Sequence, residues 1–162
     1  MKNKKLFKKK GRILDPIAWE EVKVLLSGLP CKKELLIEAL HLIQDKYHYL
    51  SAKHLVALAH ELKLSSAEVY EVATFYHHFD VIRESEHNLN ENAPPPPITV
   101  RVCDSVTCEM SGSKKLLDTL KKASLTVPDT GEDVRIQSVP CIGCCQHAPV
   151  AVVGKIPVDY AS

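Results

Sequence analysis

Four consecutive prolines, Pro94 to Pro97, divide this chain. Proline fixes φ and has no N–H to donate, so the run continues neither a helix nor a central strand. A polar stretch, Arg83 to Asn92, leads into it, and residues 83–97 read as a linker. The apolar period is helical before this point and strand-like after it. The expected organisation is a basic flexible tail at 1–14, a small helical bundle at 15–82, the linker, and an α/β domain at 98–162. The class is α+β. A length of 162 residues suits one ordinary domain or two small ones.

In the first part, Asp15 can cap a helix that starts at Pro16 and is ended by Gly28. Leu35, Leu36, Ala39, Leu40 and Ile43 form the apolar stripe of a second helix. Ser51 can cap a third, which carries Leu55, Leu58, Ala59 and Leu62. Ser65 to Glu68 is a capping-box sequence that opens a fourth, with Val69, Val72, Ala73 and Tyr76 on one face. Four short helices bury little by themselves, so this bundle is expected to lean on something else.

The second part reads strand, helix, strand, hairpin. Ile98 to Val102 and Val134 to Val139 are strand-like, and Lys114 to Ala123 is helical, with Leu116, Leu117 and Leu120. Val150 to Val153 and Ile156 to Val158 flank Gly154-Lys155, which suits a two-residue turn. Two strands joined through a helix should be parallel.

Parallel strands end at the same sheet edge, and cysteines follow both of them. Cys103 and Cys108 come after the first, Cys141 and Cys145 after the second. Two loops with two thiols each should therefore meet and make a four-sulfur site. Gly143 lets the second loop turn tightly, and Pro140 stiffens its approach. Structural zinc usually takes C-x2–4-C pairs. The spacings here, x4 and x3, lie at the wide end of that range and suit a [2Fe–2S] cluster, whose two irons each take two thiolates; zinc is the second option and a disulfide or free thiols the third. Cys141-Ile142-Gly143-Cys144 is also a C-x-x-C, but a thioredoxin-type dithiol belongs where the first strand meets a helix.

These residues carry a family resemblance. Val102-Cys103 to Cys108, and Cys141-Ile142-Gly143-Cys144-Cys145-Gln146-His147-Ala148-Pro149, resemble the 24 kDa [2Fe–2S] subunit family of respiratory complex I. Ser66 to Tyr76 looks like that family's helical motif. The family also serves NAD-linked formate dehydrogenases and hydrogenases. The resemblance spans roughly residues 15–160. It implies a helical N-terminal bundle, a thioredoxin-like domain, and one [2Fe–2S] cluster bound by Cys103, Cys108, Cys141 and Cys145. It further implies a non-catalytic electron-transfer role, with FMN and NAD(H) held by a flavoprotein partner subunit in a larger hetero-oligomeric complex. Two departures stand out. The family usually adds a helix after the final hairpin, which is not seen before Ser162, so part of the usual sheet cover is either absent or supplied by a partner. Cys144 sits where the family does not require cysteine, beside a ligand position.

Other readings carry less. The first twelve residues hold seven Lys/Arg and no acid. With a total of 21 basic and 20 acidic residues, the remainder has 14 basic against 20 acidic, about −6. That balance disfavours a nucleic-acid-binding body. Ser51 to Tyr76 has the outline of a helix-turn-helix, but Glu68 and Glu71 would meet phosphate on its reading helix. A zinc-stabilised structural or DNA-binding module remains the alternative. No apolar run reaches the length of a membrane span, and the tail has no secretory apolar core. A cytoplasmic, reducing location with no direct membrane insertion is expected. Cys31 reads as a small buried or half-buried side chain in a helical stretch. His77 and His78, being adjacent, cannot share one helical face, and His147 reads as a neighbour of the site or a surface residue. Ser105, Thr107 and Ser111 are candidate donors to cluster sulfur. No phosphate loop, Ser/His/Asp set or flavin fingerprint is present in the sequence.

Overall fold

The computed structural model describes residues 12–82, 95–123, 131 and 134–161. Most of the expected tail (residues 1–11) and most of the expected linker (residues 83–94) lie outside the described residues. The chain divides into two compact units, residues 1–93 and 94–162.

The first unit holds helices α1 (Pro16–Leu25), α2 (Leu36–Tyr47), α3 (Ala52–Leu62) and α4 (Ser66–Phe75). Their starts follow from side chains that replace missing backbone partners. The Asp15 carboxylate accepts from the N–H groups of Ile17 and Ala18, at 2.9 and 3.1 Å. The Ser51 hydroxyl accepts from His54 N–H at 3.1 Å. At α4 the box is complete: Glu68 N–H donates to the Ser65 hydroxyl, and Ser65 N–H to the Glu68 carboxylate. The first helix ends sooner than expected. Leu26 closes it by donating to the Val22 carbonyl, and Gly28 lies in the turn that follows.

Val22, Leu40, Ile43, Leu50, Leu58 and Val69 are fully buried between these helices. A pair of two-residue strands, β1 (Leu50–Ser51) and β2 (Val81–Ile82), runs parallel beside them. Gln44 anchors this pair: its amide donates to the Asp80 carboxylate and the His48 carbonyl, and its carbonyl accepts from Asp80 N–H. Such short pairing leaves no periodic trace in the sequence.

Cys31 corrects the sequence reading. It is exposed, lies outside any helix, and sits 3.5 Å from the Glu61 carboxylate. Pro30 precedes it and Lys32 is extended, which keeps this segment out of helical geometry.

The second unit is a four-stranded sheet in the order β4-β3-β5-β6. Its strands are β3 (Thr99–Cys103), β4 (Arg135–Val139), β5 (Ala151–Val153) and β6 (Ile156–Val158). β3 is central and buried along its length. It pairs parallel with β4 and antiparallel with β5. The connection from β3 passes through α5 (Val106–Met110) and α6 (Ser113–Ala123). Leu116, Leu117 and Leu120 of α6 pack on Val100, Val102 and Ala151. The hairpin turns at Gly154-Lys155, as the sequence predicts, with Gly154 at φ 61°. Among the described residues, no helix is long and apolar enough to cross a membrane.

Candidate metal centre

The register of β3 and β4 positions the site. Cys103, the last residue of β3, lies opposite Val139, the last of β4. Asp104 N–H still donates to the Val139 carbonyl at 2.9 Å, and the Ser138 hydroxyl donates to the Asp104 carboxylate. Both cysteine loops therefore leave the sheet from one clasped edge. The first contains α5, a short helix that the sequence reading treated as loop. Five residues between strand and helix are too few to show a period. α5 places Cys108 in its middle and turns that thiol inward. The second loop runs past Gly143, at φ 93°, into a single 3-10 turn over Cys145–His147.

The thiols differ in exposure. Cys103 and Cys108 are buried against Val150, while Cys141 and Cys145 are exposed and Cys144 is intermediate. Val150 also holds the first loop: its carbonyl accepts from Cys103 N–H at 3.1 Å. The Cys141 and Cys145 sulfurs are 3.4 Å apart, and Gly143 N–H points to Cys141 sulfur at 3.4 Å.

Electrostatics link the two loops. Burial pushes the Cys103 thiol up. Hydrogen bonds from Ser105 N–H, the Cys108 thiol, Ile142 N–H and the Ser105 hydroxyl outweigh this and hold it below its ordinary value. Ile142 belongs to the second loop. Burial raises the Cys108 thiol, and the neighbouring Cys103 and Cys141 raise it further. Cys145 is pushed up first by its hydrogen bond with Cys141, then by the charges of Cys141, Cys108 and Cys103. All four sulfurs thus sit within each other's fields. They approach in pairs: among the described residues, no group of three or more His, Cys, Asp or Glu is gathered as the ligand set of a metal ion.

Of the three candidate hydroxyls, Ser105 reaches Cys103. Ser111 donates instead to the Thr107 carbonyl at 2.9 Å. His147 is drawn away from the thiols, pairing with Asp159 at 3.2 Å and packing on the Tyr160 ring. His78 stacks near His41 and Phe79 in the first unit.

Residues 22–161 match the model of the thioredoxin-like [2Fe–2S] ferredoxin family. The chain belongs to that family. It is 33% identical over 152 residues to an NADH-quinone oxidoreductase subunit of Aquifex aeolicus (strain VF5), covering 88% of this chain and 87% of that one. It is 27% identical over 146 residues to the NADP-reducing hydrogenase subunit HndA of Solidesulfovibrio fructosivorans, covering 88% and 79%. In fold it resembles the crystal structure of an air-oxidised NAD+-reducing [NiFe]-hydrogenase, with a TM-score of 0.54 at 22% identity. That match covers 79% of this chain and 20% of the hydrogenase chain.

The donor set suits the cluster named in the family description. The neighbouring sulfurs raise the cost of ionising Cys108 and Cys145, and cationic iron would remove that cost. Ile142 and Ser105 N–H groups directed at Cys103 sulfur are donors of the kind that would stabilise a cluster thiolate. The buried pair lies beneath an apolar cover of Val150, Ile142 and Ala148.

Proposed function

We propose that this chain is a non-catalytic electron-transfer subunit whose Cys103, Cys108, Cys141 and Cys145 hold one [2Fe–2S] cluster. The observation that carries the reading is geometric: two cysteine loops leave the one clasped β3–β4 edge, with Cys103 and Cys108 buried against Val150, Ile142 of the second loop packed on them, and Cys141 in contact with Cys145. The bound cluster would carry one electron at a time. The chain's own residues set its surroundings. Cys103 and Cys108 anchor the buried side, Cys141 and Cys145 close the solvent side, and N–H groups of the second loop neutralise sulfur charge. The spacing reading that favoured a cluster over zinc is supported by the family match.

The relatives named above are subunits of NADH- and NADP-linked oxidoreductases, so a larger complex is the natural setting. In our reading the chain docks on an FMN- and NAD(H)-binding flavoprotein in the cytoplasm. Residues 15–82 act as a helical docking bundle, 83–97 as the linker and 98–162 as the cluster domain. Open apolar side chains on the first unit, among them Ile17, Val24 and Phe75, support a partner surface.

Iron and acid-labile sulfide analysis of the purified chain tests the site. Two of each per chain are expected, together with an EPR signal on reduction. One zinc and no iron would overturn it. Native co-purification followed by NADH addition tests the partner: the cluster should bleach through a co-purifying flavoprotein. A stable monomer whose cluster NADH cannot reduce with all co-purifying proteins present would remove the docking reading.

A further inference from the structure

The second loop carries three thiols, and the proposed site uses two. Cys144 is the unused one. It is half-buried and packs on the apolar group formed by Cys103, Cys108 and Val150. Cys145 is exposed and contacts Cys141. The unassigned thiol thus stands on the side of the buried pair, and the assigned one on the solvent side.

Spacing permits either to pair with Cys141. Cys141 to Cys145 is a C-x3-C and Cys141 to Cys144 a C-x2-C, both ordinary metal-binding bites. Consecutive Cα atoms are about 3.8 Å apart, so exchanging one for the other asks the loop to shift by about one residue. The loop has room for it. Gly143 sits at φ 93°, and a Cβ built there meets nothing within 4 Å. Cys141, Gly143 and Cys145 all face solvent. Beyond the loop, the 3-10 turn over Cys145–His147 is one turn long: His147 N–H donates to the Cys144 carbonyl at 3.0 Å, and the turn's far end is fixed by Tyr160 N–H on the His147 carbonyl at 2.9 Å, which leaves the adjustment to residues 141–145.

We propose that Cys144 is a reserve ligand: with Cys145 lost, Cys144 takes its place, and the second loop tolerates the loss of either thiol but not of both. This rests on the reading of Cys103, Cys108, Cys141 and Cys145 as cluster ligands. Alanine is the right replacement, because a serine oxygen could itself ligate iron.

The test is iron and sulfide content, visible absorption and EPR of the full chain as wild type, Cys144→Ala, Cys145→Ala and the double variant. Wild type and Cys144→Ala should carry two irons with the same EPR spectrum. Cys145→Ala should also carry two irons, with a displaced EPR spectrum, and the double variant should lose about tenfold or more of its iron. Protection of the β3 amides from hydrogen exchange confirms that the second unit is folded in each. An iron-free wild type would sink the cluster reading itself. A loaded wild type with an iron-free, folded Cys145→Ala would overturn the reserve role alone. So would a double variant that keeps its iron, which would point to a ligand other than Cys144. Loss in Cys144→Ala with an unchanged spectrum in Cys145→Ala would make Cys144 the resident ligand and equally overturn the proposal.

Discussion

The two units are held together by different means. In the first, the most buried side chains are aliphatic, Val22, Leu40, Ile43, Leu50, Leu58 and Val69, and three helices open on side-chain caps. In the second, two of the most buried side chains are the thiols Cys103 and Cys108. β4 is largely half-buried and β6 is exposed throughout. The first unit's core is mainly aliphatic, so what it is most sensitive to is loss of volume. The site end of the second is made of groups that ionise and repel, so its order depends on what neutralises them.

The largest expected effects come from crossing the two. Leu58→Ala empties space in the first core and should cost about 2–5 kcal/mol of that unit's stability. Iron per folded chain should stay unchanged. Cys103→Ala should do the reverse: iron falls to background while the helical denaturation midpoint holds. Denaturant titration followed by helical circular dichroism, with iron analysis on the same samples, reads both. If Leu58→Ala strips iron from chains that remain folded, the two units do not stand on separate supports.

Iron removal sharpens the same contrast with an intermediate effect. Reduction and chelation should leave four metal-free cysteines at one edge. Amide hydrogen exchange should then rise in residues 103–108 and 140–150, while the amides around Leu40 and Leu58 keep their protection. Uniform loosening of both units would break the comparison. So would an unchanged second loop, which would mean that Val150 and the Asp104–Ser138 clasp hold it unaided.

These contrasts were unevenly legible in the sequence. The caps at Asp15, Ser51 and Ser65 can be read because they act within three residues of themselves. The meeting of the cysteine loops can be read too, because strand direction follows from a single helical crossover. What escapes is either too short or set by distant partners. α5 is five residues long, and β1 pairs with β2 across about thirty residues for two residues of strand. Cys31 reads as helical from its neighbours, yet it lies outside any helix, its place decided by Pro30 and by Glu61 on α3. Which thiols are buried escapes as well, since alternation within a loop says nothing of burial. Only the packing of Val150 onto Cys103 and Cys108 reveals it.

The smallest expected effect is a difference in acid response. The carboxylates held below their ordinary values, Asp15 and Glu68, both cap helices of the first unit. For Glu68 the leading cause is its hydrogen bond from the Ser65 hydroxyl, followed by that from Ser65 N–H. A folded-state value below the unfolded one means that the charged form is favoured by folding. The contribution is therefore complete above the ordinary value of 4.5 and is lost as pH falls through the lower folded value. Glu68→Gln keeps an acceptor for Ser65 N–H but removes the charge. Its denaturation midpoint should lie slightly below wild type at neutral pH, and the two should converge as pH falls through the lowered folded-state value of Glu68. Ser65→Ala removes the hydroxyl at any pH, at a cost of about 0.5–2 kcal/mol, and should narrow the pH response that remains. Visible absorption of the second unit's site should be indifferent to both substitutions. A gap between wild type and Glu68→Gln that widens on acidification would show that the charge opposes folding there, reversing the sign assigned to the cap.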